Sequence, residues 1–340
     1  MKILVIGSVY PRNHNDKEVP WLRQSLKRLK KHDNYIEVLA PSWKGLKSHA
    51  IDDIKINRFR YASKDLEILT HDEGAPSKMA NKPWMQLLAI PYIISGFIEG
   101  YKACKRNNFD ILHVHWPFPH CLFAYPLKWI FKIPMVINFH GASLMLARKK
   151  PWVAPFQKFF IKHADNILCN SSFTKGMVQA LVPNSNVMIS PYGTTLSDKK
   201  QNNNICDTEI FRILFVGRHI ERKGLEYLIE AMRNLDSRYQ LTIVGEGDLT
   251  PSLKIQAQKV QEQSGAKIIF PGRVSSEELS QTYQNSDVFI LPAIVDSKGD
   301  TEGLGVVLIE GICFGLTVIA SNVGGIPDVI NKNTGRSPLR

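Results

Sequence analysis

Twelve short apolar runs recur along the chain with helical stretches between them, and this alternation restricts the fold more than any other feature. In the first part they are Lys2–Val9, Tyr35–Ala40, Ile54–Tyr61, Phe109–His115, Pro134–His140, Asn166–Asn170 and Val187–Ser190. In the second they are Phe211–Gly217, Gln240–Gly245, Lys267–Phe270, Asp287–Leu291 and Thr317–Ala320. Most are near-continuous in apolar residues, as strands must be when both faces of a parallel sheet are covered. Glu18–Lys31, Gly224–Leu235 and Ser276–Asn285 read as helices. Strand–helix alternation of this kind predicts an α/β protein with parallel sheets.

One stretch interrupts the pattern. Residues 193–210 are polar and without periodicity, and a fresh strand begins at Phe211. The expected organisation is therefore a first domain over 1–192, a linker over 193–210 and a second domain over 211–340. A chain of 340 residues, 44% of them apolar, supplies two cores. Trp84–Phe97 is mostly apolar, but Pro91 and Gly96 interrupt it and it is too short to span a bilayer. It reads as a buried or partly exposed helix of the first domain. A second role, as an interfacial element dipping into lipid, is compatible with that.

Charge is unevenly spread. Residues 1–200 carry 29 Lys and Arg against 14 Asp and Glu, whereas 201–340 carry 14 against 17. The excess in the first domain reads either as simple solubility or as a basic face for anionic lipid or a phosphorylated acceptor. Nucleic acid ranks below both, because no basic motif interleaved with aromatics and no recognition-helix pattern appears. The five cysteines are scattered without CxxC spacing, which argues against a disulfide framework or a zinc ribbon. The first apolar run, Ile3 to Ile6, is stopped by Gly7 and is not a signal peptide. The expected location is cytoplasmic, with a peripheral place at the inner face of the membrane.

Ligands of open parallel sheets bind at the carboxyl ends of strands. Glycines, cations and histidines gather there in this chain: His115-Trp116-Pro117, His140-Gly141, Gly217-Arg218, Gly245-Glu246-Gly247 and Gly272-Arg273-Val274. Arg218 and Lys223 stand five residues apart across a strand-to-helix turn, so both heads can enter one crevice. There they suit a diphosphate and the charge building on a diphosphate leaving group. In Asp300–Glu310 a loop runs into a helix, with Gly303 and Gly305 where a ligand can approach bare backbone. Glu302 precedes that helix. Glu310 lies about two turns inside it, after the four apolar residues Val306–Ile309, where ribose hydroxyls would be good partners for a carboxylate. A helix-dipole acid and a half-buried structural Glu are the plainer readings of the two. His140 reads either as a core histidine or as a polar group facing a sugar. His113 and His115 would share a sheet face, and no acidic cluster accompanies them, which makes a metal site a poor expectation.

Together these residues resemble the retaining glycosyltransferases of family 4, over nearly the whole chain. Gly217-Arg218-His219-Ile220-Glu221-Arg222-Lys223-Gly224 is similar to the family's G-R-x4-K-G, Glu302 and Glu310 to its E-x7-E, and Val323-Gly324-Gly325-Ile326-Pro327-Asp328-Val329-Ile330 to its V-G-G-x-x-E-x-I, with Asp for Glu. Gly245-Glu246-Gly247, Asp110–Trp116 and Phe139-His140-Gly141 resemble further family elements. The resemblance implies the GT-B fold, two Rossmann-like domains facing a central cleft, and transfer of sugar from a nucleotide-sugar donor, UDP- or GDP-linked, to a glycan or lipid-linked acceptor. It implies no metal and no cofactor. By it, Arg218 and Lys223 bind the diphosphate and Glu310 the ribose. Glu302 with the amides of Gly303, Leu304, Gly305 and Val306 holds the sugar. Gly245, Arg273 and Val274 line the nucleotide, and His140 touches the donor sugar from the first domain.

Two departures stand out. The loop after the first strand reads Arg12-Asn13-His14-Asn15-Asp16 where the family commonly has a Gly-Gly pair, which leaves the acceptor less defined. The family continues past the equivalent of Ile330 through further strand and helix, so the expectation is a second domain incomplete at its end, with reduced stability or activity. A sugar-nucleotide epimerase of the same fold and a non-catalytic donor-binding protein are the alternatives.

Overall fold

The computed structural model describes residues 1–16, 18–71, 75, 78–79, 82–194, 196 and 210–331. The chain divides into two compact units, Met1–Tyr192 and Gly193–Arg340. Most of the polar stretch read as a linker, residues 195 and 197–209, lies outside the described residues, as do 332–340.

The first unit holds β1 (Lys2–Ile6), β2 (Tyr35–Pro41), β3 (His49–Ile51), β4 (Ile54–Phe59), β5 (Ile111–His115), β6 (Met135–Phe139), β7 (Asn166–Cys169) and β8 (Val187–Ile189). They form one sheet in the order β3-β4-β2-β1-β5-β6-β7-β8, parallel except for the β3–β4 pair. Leu4, Val5 and Ile6 of β1 are fully buried, because helices cover both faces. Among these are α1 (Pro20–Lys30), α2 (Ala89–Arg106), α3 (Pro117–Phe131), α4 (Ala142–Lys149), α5 (Ala154–His163) and α6 (Ser172–Leu181). The chain leaves β1 towards β2 and later returns to its other side at β5. The switch point therefore lies between the carboxyl ends of β1 and β5, where a ligand crevice opens in such sheets.

The edge strand β3 is absent from the sequence reading. It is joined to β4 by Asp52 and Asp53, both left-handed at φ 53° and 55°, the backbone of a two-residue hairpin turn. The apolar stretch Trp84–Phe97 divides into a 3₁₀ turn, Pro83–Leu88, and the first half of α2. Pro91 falls in the first turn of α2, where no helical amide bond is lost. Gly96 and Gly100 lie against α3: a Cβ on either would stand 2.9 Å from Phe123 Cε1 or 2.6 Å from Leu127 Cδ1. One face of α2 is thus buried on α3, while Ile90, Ile94 and Ile98 remain exposed. Among the described residues no helix is long and apolar enough to cross a membrane.

The second unit holds β9 (Phe211–Val216), β10 (Tyr239–Val244), β11 (Lys267–Gly272), β12 (Val288–Leu291) and β13 (Thr317–Ala320) in a parallel sheet ordered β11-β10-β9-β12-β13. Helices α7 (Leu225–Ala231), α8 (Thr250–Ser264), α9 (Ser276–Gln284) and α10 (Val306–Cys313) accompany it. A capping box at Ser275 and Glu278 starts α9. The order reverses between β9 and β12, so the switch point of this unit lies where Gly217-Arg218 leaves the sheet.

Candidate functional site

In the second unit the loop after β9 is tied to the loop that precedes α10. Ile294 N–H donates to Arg222 O at 2.9 Å, and Glu221 accepts from Ser297 N–H at 2.7 Å and from its hydroxyl at 2.8 Å. Arg222 donates to Thr301 O at 3.1 Å and stands 3.5 Å from Glu302 Oε2. Lys223 is buried and its Nζ lies 2.5 Å from Glu302 Oε2. The structure thus brings Lys223 and Glu302, 79 positions apart, to one point. Burial alone would raise the Glu302 pKa, but Lys223, Arg222 and the Gly305 amide together outweigh it and hold the carboxyl below its ordinary value. That amide is one of the helix-entry N–H groups read as a ligand cradle, and here it faces Glu302.

The Arg218 side chain has no hydrogen bond or ion pair among the described residues and is exposed. Its pKa is lowered, first by partial desolvation and then by the neighbouring Arg222. A guanidinium without an anionic partner, near a second guanidinium, is poised for a ligand anion.

Gly324 explains the V-G-G segment. Its φ is +57°, and a Cβ there would stand 2.1 Å from Glu302 O, while Gly325 N–H donates to the same oxygen at 2.9 Å. The backbone of Glu302 is therefore clamped from behind by a residue that cannot carry a side chain. Glu310 is buried, and Tyr283 donates to its Oε2 at 3.0 Å. Burial raises its pKa, against the smaller opposing effect of the Tyr283 hydroxyl. Tyr283 belongs to no motif of the sequence; its only signal there is a lone aromatic in a polar helix.

Gly245 has a local packing reason. A Cβ would lie 2.0 Å from Gly217 O, and Gly245 N–H donates to Gly272 O at 2.9 Å. Bare backbone thus links the carboxyl ends of β9, β10 and β11. Arg273 is exposed and pairs loosely with Glu246 at 3.4 Å, while Val274 packs on the core. Leu304 is buried, and Gly303 and Val306 flank it at the entry of α10.

In the first unit His140 follows β6 and enters an aromatic box. Its ring lies 4.7 Å from that of Trp21, 5.0 Å from Trp116, 5.1 Å from His115 and 5.5 Å from Tyr192. Nε2 is 2.9 Å from His115 Nδ1, and Nδ1 is hydrogen-bonded to the Tyr192 hydroxyl. Asn170 donates to that hydroxyl and itself accepts from Thr174 at 2.7 Å. With Tyr192 donating to Nδ1, His140 carries its proton on Nε2 and donates it to His115. Burial, then the neighbouring His113, pulls the His140 pKa down to about 3. His113 and His115 share a sheet face, with rings 4.3 Å apart, but they are enclosed rather than forming a polar rim. No group of three or more His, Cys, Asp or Glu able to hold a metal occurs among the described residues.

Residues 21–197 match the family model Glycosyltransferase Family 4, and residues 197–336 match Glycosyl transferases group 1. An uncharacterized glycosyltransferase of Methanocaldococcus jannaschii is 25% identical over 78% of this chain and 74% of its own length. The amylovoran biosynthesis glycosyltransferase of Erwinia amylovora is 37% identical over 36% of this chain and 30% of its own. The putative colanic acid biosynthesis glycosyltransferase of Escherichia coli is 26% identical over 57% and 48%. Among solved structures, Anabaena HepE in complex with UDP and glucose superposes with a TM-score of 0.65 at 13% identity, covering 97% of this chain and 83% of that one. Such a likeness shows the fold, two Rossmann-like domains of GT-B type.

Proposed function

This chain belongs to glycosyltransferase family 4, and from that premise we propose a retaining, metal-independent transfer of a sugar from a UDP- or GDP-linked donor to a polysaccharide or lipid-linked acceptor, at the inner face of the cell membrane. Relatives that act in amylovoran and colanic acid biosynthesis support a place in glycan synthesis. The UDP in the HepE complex favours UDP as the carrier.

The observation that carries the reading is the buried Lys223–Glu302 pair beside an unpaired Arg218 at the switch point. A diphosphate arriving there completes the coordination of Arg218 and shares Lys223 with Glu302. As the bond between the anomeric carbon and the diphosphate oxygen breaks, negative charge grows on that oxygen, and the two cations stabilise it. The acceptor oxygen bonds to the anomeric carbon from the same face, and its proton passes to the departing diphosphate. Glu302 and the α10 amides orient the sugar, Glu310 holds the ribose, and His140, neutral because it is buried, offers a hydrogen bond without a charge.

Melting curves with UDP, GDP, ADP and their sugar conjugates test the donor site. A ligand at 100 times its Kd stabilises the folded state by about 2.7 kcal/mol. One nucleotide should raise the melting temperature of the wild type and fail to raise that of Arg218→Ala. No shift with any of them would remove the donor reading. Release of an altered nucleotide sugar without acceptor would favour the epimerase.

A further inference from the structure

Three of the six tryptophans are exposed, Trp84, Trp129 and Trp152, and all three lie on or beside α2, α3 and α5 of the first unit. These helices are neighbours. Gly96 of α2 meets Phe123 of α3, the Tyr101 ring lies 5.2 Å from that of Phe131, and Tyr125 of α3 meets Phe159 of α5 at 5.0 Å. Their outward residues are apolar where an ordinary helix layer is polar. Ile90, Ile94 and Ile98 form a stripe at helical spacing, 67%, 53% and 47% exposed, and Trp129 is 74% exposed. The same stretch is strongly basic: residues 84–163 carry 10 Lys and Arg against 2 Asp and Glu. Lys105, Lys132, Lys158 and Lys162 are exposed on, or just after, the same helices.

We infer that this helix layer is a docking surface for an anionic lipid bilayer, with the α2 stripe and Trp129 entering the headgroup boundary and the lysines meeting lipid phosphates. Protein interfaces are depleted in lysine. Tryptophan and lysine together on an apolar face are instead the composition of a membrane interface, where the indole lies at headgroup level and the ammonium meets negative lipid. Exposed apolar side chains gathered on one helix layer call for a partner, and the charge selects an anionic one. The inference gives the membrane part of the proposed function its surface, and it stands or falls independently of the donor site.

Co-sedimentation of the whole chain with phosphatidylglycerol vesicles and with phosphatidylcholine vesicles tests it. Binding should be strong to the anionic vesicles at low salt and fall steeply as salt screens the lysines. Lys158→Glu/Lys162→Glu should weaken it by more than tenfold, and Ile94→Ser/Trp129→Ser should weaken it on both sides of the salt titration. An unchanged melting temperature and far-UV circular dichroism spectrum in these variants shows that they remain folded. Wild-type protein left in the supernatant with anionic vesicles at low salt overturns the inference. So does a concentration-dependent dimer that Trp129→Ser dissociates, which would assign the face to a second copy.

Discussion

Lys223 Nζ and Glu302 Oε2 lie 2.5 Å apart, with both side chains nearly enclosed, and they join the loop after β9 to the loop before α10. The pair ties together the two loops that frame the candidate site. Removing Glu302 leaves Lys223 buried and uncompensated, at a cost of about 3–5 kcal/mol, whereas removing Lys223 leaves Arg222 3.5 Å from the Glu302 carboxylate. Glu302→Gln should therefore destabilise the second unit by about that much, and Lys223→Met by less. The double variant should regain most of the loss, since a buried pair replaced by neutral groups is often close to neutral. All three should lose sugar transfer. Urea unfolding followed on the three variants decides it, and additive losses in the double variant would mean that the two side chains do not act as a pair. The Glu302 pKa is depressed, so its contribution is present above the ordinary carboxylate range and lost as pH falls through the folded value.

Titration of the first unit should be governed by its buried histidines. Burial lowers His113 and His120 to about 4 and His140 to about 3, and His115 lies well below its ordinary value. Between roughly pH 6.5 and 4 the unfolded chain binds protons that the folded chain refuses. Stability therefore falls as pH falls through that window and is fully restored above it, at up to about 1.4 kcal/mol per histidine for each pH unit. Melting temperatures across pH 4–8 check this. His113→Asn should flatten the slope, and a wild-type profile flat from pH 7 to 4.5 would contradict the enclosure of the cluster.

The sequence showed the parts of this molecule that rest on local pattern. Continuous apolar runs such as Ile3–Ile6 and Ile213–Val216 marked buried parallel strands, with strand ends misplaced by one to three residues because a glycine or a polar turn residue continues the run. The strand β3 escaped because three residues, His-Ala-Ile, carry no period. Its signal was the Asp52-Asp53 pair between two isoleucines, which replaces the more familiar Asn-Gly of a two-residue hairpin. Arg218, Lys223, Glu302 and Glu310 were legible as a motif, yet the motif does not say that Lys223 and Glu302 pair directly or that Gly324 holds Glu302 from behind. Those are long-range packing facts. The box around His140 was invisible for the same reason: Trp21, Trp116 and Tyr192 reach it from α1, from the end of β5 and from the last residue of the first unit.

That box supplies the remaining prediction. Both ring nitrogens of His140 are engaged, Nε2 by His115 and Nδ1 by Tyr192, so a ligand reaches a ring nitrogen of His140 only if one of these partners yields. Tyr192 is the partner free to yield, because its hydroxyl keeps the hydrogen bond it accepts from Asn170, whereas His115 is fixed in a central strand. Tyr192→Phe removes the hydroxyl and keeps the ring stacked on Trp21 at 4.2 Å. It should leave Nδ1 available and the tautomer unassigned. The expected result is a KM for the donor changed by less than threefold with a kcat reduced by about tenfold, the loss of one oriented hydrogen bond to the reacting sugar. His140→Ala should lose at least as much, and the two substitutions together no more than His140→Ala alone, since Tyr192 acts through His140. Steady-state kinetics on the three variants read this directly, and additive losses would show that Tyr192 touches the substrate itself rather than positioning the histidine.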